Sequence, residues 1–396
     1  MHILLCHKPI KAEKKYLFIV KAFYFNYSHD VQMSSGSILR NLSQNVSSLE
    51  YALQPLAVYA ASPDDVVVVH PNMIDTCREF YQDDCFDGIR FASLSSSLEM
   101  PVEPWGWDVA VIRQLENSGI PGRFMCSKGQ ADVIRALSSR ESACVCLREV
   151  RNRLPGLPLC GTSEFCNTRE ELYDKLFFPV VLKSPWSSSG RGVRVALEQL
   201  DDRLATWIDR VFQTQGALEI EPYYKRIADW AMEFYADEKG EVTYTGLSRF
   251  YTMPTFGYMG NIVALEDHLL REWCRYMPSA VFYEVRDCLT EVLPAMMKGK
   301  YTGPLGVDMM FCEGDEGQVL LHPCVEINLR RTMGQIAQCI AVKMPWACPS
   351  KFEINYISTP EKARQLLAER DNGDCRLLTP LTEKTRFAAC LRNACK

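Results

Sequence analysis

Continuous apolar runs separated by helical patterns dominate the first third of the chain. Residues 23–25 (Phe-Tyr-Phe) and 66–69 (four valines) are uninterrupted apolar runs, as in strands buried on both faces of a parallel sheet. Val109, Ile112 and Leu115 then recur at helical spacing. Residues 1 to about 130 are therefore predicted to form an N-terminal α/β region.

The middle of the chain, from about 131 to 345, has a different pattern. An apolar stripe with a period near four predicts a helix over residues 200–211. Strand-like runs lie around it, at 180–183, 193–197, 218–224, 230–235, 241–245, 306–312 and 318–322. The remaining residues, 346–396, contain one helical stretch at 360–370 and a short apolar run near Phe387, and are predicted to be an extension that packs on the middle region.

Composition narrows the class of protein. The chain has 396 residues, of which 47% are hydrophobic and 23% charged, which is typical of a globular protein of two or three domains. Its net charge of −5, without a long basic block, argues against nucleic acid or an anionic membrane as the main partner. The 17 cysteines include no CxxC pair. Since no secretory signal is recognisable, we expect reduced cysteines, a cytoplasmic location and no membrane partner.

The first candidate binding site is the loop between the strand-like runs 180–183 and 193–197. Lys183 ends the first run, and Ser187, Ser188, Ser189, Gly190, Arg191 and Gly192 follow. Small residues leave backbone N–H groups open to an anion, and Lys183 and Arg191 add positive charge. A Walker loop is excluded because no Gly-Lys-Ser/Thr tripeptide occurs. A protein-kinase loop is excluded as well, because such a loop precedes its lysine, whereas Lys183 comes before Gly190 and Gly192. An ordinary flexible hairpin fits the same pattern.

The second candidate is the segment 325–330, Val-Glu-Ile-Asn-Leu-Arg. In a strand, Glu326, Asn328 and Arg330 share one face. With Asp308 from the neighbouring strand they form an all-oxygen site of the kind that Mg²⁺ prefers, with Arg330 beside it to steady a phosphoryl group. A surface strand with its polar face in water is the alternative.

The order of these parts, a lysine and loop hairpin, an apolar stretch, and then a carboxylate–carboxamide strand, resembles the ATP-grasp family. The resemblance covers about 131 to 345 and implies an ATP-grasp fold preceded by a Rossmann-like α/β domain. It implies ATP and Mg²⁺ (or Mn²⁺) as cofactors. Residues 23–30 and 105–108 look similar to ATP-grasp proteins from Bacteroides-like organisms, whose chains begin near this point; residues 1 to about 20 are therefore expected to be an extension or a misassigned start.

The resemblance also implies roles for individual residues. Lys183 and the 187–192 loop match the phosphate cover, and Glu219, Glu221 and Tyr223 match the strand whose backbone groups hold adenine, with Glu221 as its anchor. Asp229 matches a ribose-binding side chain, the trio Asp308, Glu326 and Asn328 matches the metal ligands, and Arg330 matches a basic residue near the reacting phosphate. The family usually has a second phosphate-binding lysine. Here Arg140 takes that place, and an arginine on a helix surface fits equally well.

Such enzymes mostly activate a carboxylate as an acylphosphate, which an amine or another nucleophile then captures. The resemblance thus implies an ADP-forming carboxylate–amine ligase with small-molecule or peptide substrates, in which Lys183 and Arg330 act on the reacting groups. A phosphotransferase and an ATP-binding module without turnover are the alternatives. The family often forms homodimers, but the sequence shows no interface pattern.

Overall fold

The computed structural model describes residues 20–35, 42–187 and 190–393. The extension expected over residues 1 to about 20 therefore lies almost wholly outside the described residues, as do Ser188 and Ser189. Within the described ranges the chain forms three sheets: a four-stranded parallel sheet, a four-stranded antiparallel sheet (the small sheet) and an eight-stranded sheet. This mixture confirms the predicted α/β class.

The parallel sheet is built from the first third of the chain. Its strands, in the order β3-β2-β1-β4, are β1 (Ala22–Tyr24), β2 (Val66–Val68), β3 (Arg90–Ala92) and β4 (Val102–Pro104). The helices of this region are α1 (His29–Ser35), α2 (Gln44–Leu53), α3 (Ile74–Phe80) and α4 (Val109–Asn117). All three strand pairs are parallel, and their order is that of the first four strands in a Rossmann sheet, as predicted.

The small sheet follows two connecting helices, α5 (Lys128–Leu137) and α6 (Arg140–Arg153). Its strands and covering helices are β5 (Glu164–Cys166), α7 (Arg169–Asp174), β6 (Val180–Lys183), β7 (Val193–Ala196), α8 (Asp202–Gln215) and β8 (Leu218–Pro222). The strand order is β5-β8-β6-β7. The predicted apolar stripe of α8 packs on β6 and β8, which leaves the opposite face of the sheet free to line a cavity.

The eight-stranded sheet carries the rest of the chain in the order β13-β12-β9-β10-β11-β14-β16-β15. Its elements are β9 (Lys225–Ala236), β10 (Val242–Thr252), β11 (Tyr258–Val263), α9 (Glu266–Trp273), α10 (Ser279–Met297), β12 (Gly303–Glu313), β13 (Val319–Asn328), α11 (Met333–Lys343), β14 (Ser350–Tyr356), α12 (Pro360–Asp371), β15 (Cys375–Leu377) and β16 (Phe387–Asn393). The three C-terminal strands thus continue this sheet, where the sequence predicted only an extension that packs on the middle region.

Alternation along β9 shows how this sheet divides its two faces. Trp230, Met232 and Phe234 are fully buried in the main hydrophobic core, together with residues of α6, α9 and α10. Asp229 and Glu233 therefore point to the opposite face, since successive side chains of a strand alternate. Residues paired directly across β10, β12 and β13 share the same face, which makes one wall of a cleft.

Strand β13 runs from Val319 to Asn328 and continues through Pro323. His322 pairs with Met310 and Glu326 pairs with Asp308, so residues 323–325 stand opposite a single residue, Met309. A bulge of this kind leaves a proline, which lacks an N–H donor, outside the ladder of hydrogen bonds. Strand β13 also ends at Asn328, before Arg330.

Most cysteines in the described ranges are buried and free, among them Cys144, Cys160 and Cys312. Burial raises the pKa of the Cys144 thiol to about 12. These thiols behave as small apolar groups, as expected, and the cytoplasmic location inferred from them stays a prediction. None of the described helices is both long and apolar enough to cross a membrane.

Candidate active site

A cleft of about 490 Å³ separates the small sheet from the eight-stranded sheet. One wall carries Lys183 and Glu221, and the other carries Asp308 and Glu326. The described residues that line it also include Tyr27, Asp30 and Trp105 from the N-terminal region. The cleft therefore brings together parts of the chain that are almost 300 residues apart.

Asp308 and Glu326 face each other across the β12–β13 pair, and Asn328 pairs with Gly306 one step along the same face. Directly opposed side chains in an antiparallel pair begin about 5 Å apart at Cβ. Burial, followed by the negative charge of Glu326, raises the pKa of Asp308 well above its usual range. Strands β12 and β13 thus place these two carboxylates and the carboxamide on one face.

This set of oxygen ligands fits Mg²⁺ by its chemistry. Two opposed carboxylates repel one another unless a cation lies between them, and Mg²⁺ commonly uses one or two carboxylates plus water and substrate phosphates. Within the described residues no cluster of three or more His, Cys, Asp or Glu side chains is placed to hold a metal ion. A cation bound here would therefore depend on Asn328, water or a substrate for its remaining ligands.

Lys183 on the opposite wall lies between two glutamates of β8. Its Nζ is 2.7 Å from Glu221 Oε1 and 3.2 Å from Glu219 Oε1, and all three side chains are buried. Burial alone would lower the pKa of Lys183, but the two carboxylates raise it. Burial raises the pKa of Glu219. Burial would also raise the pKa of Glu221, but its interactions with Lys183 and His322 outweigh the effect of burial and lower this pKa. The lysine is thus held charged and fixed in place.

Arg140 links the two walls. It is the first residue of α6 and is only 5% exposed, so the alternative of an arginine on a helix surface is wrong. Its Nη2 is 3.2 Å from Glu326 Oε2 and donates to Ser187 Oγ at 3.4 Å, and its Nη1 is 4.0 Å from Glu219 Oε2. Its position suits the clamping of an anion between the loop and the carboxylate wall.

The loop after Lys183 is closed at its base by backbone hydrogen bonds. Ser184 N donates to Gly192 O at 2.8 Å, and Val193 N donates to Gly190 O at 3.1 Å. Gly190 has φ +72°, and a Cβ there would lie 2.6 Å from Phe256 Cβ, so the position needs glycine. Ser187 and Gly190 line the cleft, whereas the side chain of Arg191 is exposed to solvent.

The residues expected to hold adenine and ribose also reach the cleft. Tyr223 and Asp229 line it. Asp229 accepts a hydrogen bond from Thr252 Oγ1 at 2.7 Å and lies 3.3 Å from Arg226 Nη1. The side chain of Glu221 is engaged with Lys183, and this is compatible with the expectation that backbone groups of this strand hold adenine.

Arg330 lies beyond the end of β13, so the predicted strand face does not extend to it. Its side chain nevertheless returns to the site, where Nη2 donates to Asn328 Oδ1 at 3.0 Å. It also forms a bidentate pair with Asp30 of α1, at 2.7 Å from Nε to Oδ1 and 2.9 Å from Nη2 to Oδ2. A planar guanidinium held in this way is suited to binding a carboxylate or phosphate in place of Asp30.

Two residues of the site were not found from the sequence: Asp30 and Glu233. Nothing near Asp30 in the sequence indicates that it meets Arg330. Glu233 does leave a signal, because it is a single carboxylate within the apolar run 230–235. Arg249 of β10, in contrast, pairs directly with Trp230 on the core side of the sheet and bonds to Glu272.

Neither a search of family models nor a search of curated proteins finds a match to this sequence. Solved structures similar to the chain include an N5-carboxyaminoimidazole synthetase from Staphylococcus aureus complexed with ADP, with a TM-score of 0.48, 10% identity, and coverage of 96% of this chain and 94% of that one.

Another is the biotin carboxylase domain of a 2-oxoglutarate carboxylase from Hydrogenobacter thermophilus, with MgADP and bicarbonate. Its TM-score is 0.49 and its identity 11%, with coverage of 94% of this chain and 85% of that one. A third, from Archaeoglobus fulgidus and described as an ATP-grasp superfamily protein, has a TM-score of 0.43 and 11% identity over 94% of this chain and 99% of that one. Because these values are low, no residue of this chain takes its role from them.

Proposed function

We propose that this protein is an ATP-grasp ligase that uses ATP and Mg²⁺ to activate a carboxylate as an acylphosphate, which an amine or a similar nucleophile then captures. The observation that carries the proposal is the cleft itself. Lys183 and Arg140 face Asp308, Glu326 and Asn328 across one cavity, so cationic groups for phosphates stand opposite oxygen ligands for a metal.

In this proposal the nucleotide lies between the two sheets. Tyr223 and the backbone of Glu221 contact adenine, and Asp229 contacts the ribose. Lys183 contacts the phosphate oxygens, and Ser187 and Gly190, which line the cleft, lie beside them and help to exclude water. Phosphoryl transfer requires positioning and charge stabilisation more than covalent help from the protein, and Lys183 and Arg140, which both line the cleft, would supply the positive charge.

Asp308, Glu326 and Asn328 would hold the metal ion. When bound, Mg²⁺ would supply positive charge that stabilises the transferring phosphoryl group. Arg140 would remain beside Glu326 and limit its motion, since Nη2 is already 3.2 Å from Oε2. Arg330 would exchange its carboxylate partner, Asp30, for the carboxylate substrate.

The test is ADP release from MgATP with pooled carboxylates and pooled amines, in the wild type and in Glu326→Ala. We expect the substitution to lower turnover by about a hundredfold or more, the cost of removing one electrostatic group from a transition state. Glu316→Ala is the matched control, because Glu316 lies exposed in the turn that joins β12 and β13.

The outcomes separate the competing functions. ADP release that requires both a carboxylate and an amine supports the ligase. Release that needs only a hydroxyl acceptor would establish a phosphotransferase instead, and tight ATP binding with no ADP from any pool would leave a binding module. Equal turnover in Glu326→Ala and Glu316→Ala would contradict the assigned metal face.

A further inference from the structure

Glu233 is a carboxylate of the cleft that the proposed nucleotide and metal sites do not use. It lies on β9, on the same face as Asp308, and is only 1% exposed. It pairs with Gly306, which in turn pairs with Asn328. Glu233 is therefore two strands from the candidate metal ligand Asn328, a backbone separation of about 10 Å, with a glycine between them.

Two glycines make the space that this carboxyl group occupies. A Cβ on Gly334, in the first turn of α11, would lie 2.1 Å from Glu233 Oε1, and a Cβ on Gly306 would lie 2.7 Å from Oε2. Neither glycine has a positive φ, so the backbone conformation alone does not require glycine at either position. Any larger residue there would displace the carboxyl group.

The carboxyl group is only partly satisfied. Ser248 Oγ donates to Oε1 at 3.1 Å, whereas Oε2 has no hydrogen-bond partner among the residues that the structure describes. An unpaired buried oxygen is costly, and it therefore calls for an explanation. Since Glu233 lines the cleft, a substrate group can supply the missing partner.

The charged and polar neighbours of Glu233 come from every element around it. Ser248 and Tyr244 lie on β10, Asp308 lies on β12, and Thr332, Arg330 and Arg331 precede or cap α11. Burial raises the pKa of Glu233 to about 7, and Thr332, Ser248 and the two arginines counteract this only in part. The group can therefore take up or release a proton near neutral pH, which a general base requires.

We propose that Glu233 is the proton acceptor for the nucleophile, a role that rests on the ligase function proposed above. The ionised carboxylate takes one proton from the ammonium form of the amine. The free amine then attacks the acylphosphate carbon, a C–N bond forms, the C–O bond to phosphate breaks, and phosphate leaves with the electron pair. The second proton of the amine goes to phosphate, and Glu233 later releases its proton to solvent.

Hydroxylamine provides the decisive probe, because it is uncharged at neutral pH and captures acylphosphates without prior deprotonation. In Glu233→Gln we expect amide formation from the pooled amines to fall by about a hundredfold or more. Hydroxamate formation with the same carboxylate pool should stay within about threefold of the wild type. The isosteric Gln keeps the side-chain volume, and Glu316→Gln, in the exposed turn, is the control.

Each outcome decides the proposal. Loss of amide with retained hydroxamate supports it, and so does a wild-type rate that rises with pH through about 7 and loses this dependence in Glu233→Gln. Equal loss of both products, or of neither, overturns it. If the wild type forms no hydroxamate, the ligase function itself fails, and the role of Glu233 in it fails as well.

A second measurement does not depend on turnover. In protein labelled with ¹³C at glutamate carboxyl groups, the resonance lost in Glu233→Gln is expected to titrate near pH 7. Titration in the ordinary range of exposed glutamates would overturn the proton-acceptor role even for an active ligase.

Discussion

The two walls of the cleft treat buried charge in opposite ways. On the small sheet, Lys183 lies between Glu219 and Glu221, so each carboxylate has a cation within 3.2 Å. On the eight-stranded sheet, Asp308 lies directly opposite Glu326, whose nearby cation Arg140 also reaches the other wall, and Glu233 is bonded to a neutral group, the Ser248 hydroxyl. A paired cation fixes a side chain in advance, whereas opposed carboxylates repel one another, and a bound cation or substrate can relieve that repulsion.

The largest expected effect comes from removing the buried cation of the small sheet. Lys183→Met would leave Glu219 and Glu221 buried without their cation, and we expect the free energy of unfolding to fall by about 3–5 kcal/mol. Urea unfolding measures this loss. Lys175→Met is the matched control, because Lys175 pairs with Glu164 at the exposed edge of the same sheet, and it should cost less than about 1 kcal/mol. Equal losses in the two variants would show that the buried Lys183 pairs contribute no more to stability than the exposed Lys175 pair.

A pH-dependent change in stability is expected from Glu233 on the eight-stranded sheet. Burial raises its pKa from 4.5 to about 7, so the folded protein holds this proton more tightly than the unfolded chain. Its contribution to stability is complete below about pH 4.5 and is lost as the pH rises through about 7, by roughly 3 kcal/mol. Glu233→Gln should flatten that part of the pH–stability curve and be more stable than the wild type at pH 8. An unchanged curve would contradict the assigned pKa.

Asp308→Asn should separate stability from activity. It removes one of two opposed carboxylates, so we expect the free energy of unfolding at neutral pH to rise by about 1 kcal/mol. The Mg²⁺ dependence of ATP binding, measured by calorimetry, should weaken in the same variant. Asp315→Asn, in the exposed turn of the same hairpin, should change neither quantity. A destabilised Asp308→Asn protein would mean that the carboxylate stabilises the wall.

The smallest effect is expected where the N-terminal region meets the site. Asp30→Asn weakens the bidentate pair with Arg330 and so frees this arginine for the carboxylate substrate. We expect the KM for the carboxylate in the hydroxamate assay to fall about threefold, with kcat little changed. Asp30→Glu, which keeps the charge, is the comparison. A KM that rises in Asp30→Asn would instead indicate that Asp30 itself contacts the substrate.

The two walls also differ in how far the sequence predicted them. Lys183, Glu219 and Glu221 were identified, and the structure brings them together, but their mutual pairing was not predicted. The reason is the register of β6 against β8, which places Lys183 opposite Glu219. On the other wall, Asp308, Glu326 and Asn328 were predicted as a group because each lies in a clear strand pattern. Arg140 remained ambiguous, since an arginine at a helix start looks alike in the sequence whether it is buried or exposed.

The sequence by itself determined which residues of one strand share a face, such as Glu326 and Asn328, because the alternation of a strand depends only on nearest neighbours. It also indicated the mixed α/β class through the spacing of its apolar runs. Only the tertiary structure decided that Asp30 reaches Arg330, that Gly306 and Gly334 make room for Glu233, and that the last three strands join the eight-stranded sheet. These contacts join residues far apart in the chain, and they follow from the packing of whole elements, which no local pattern records.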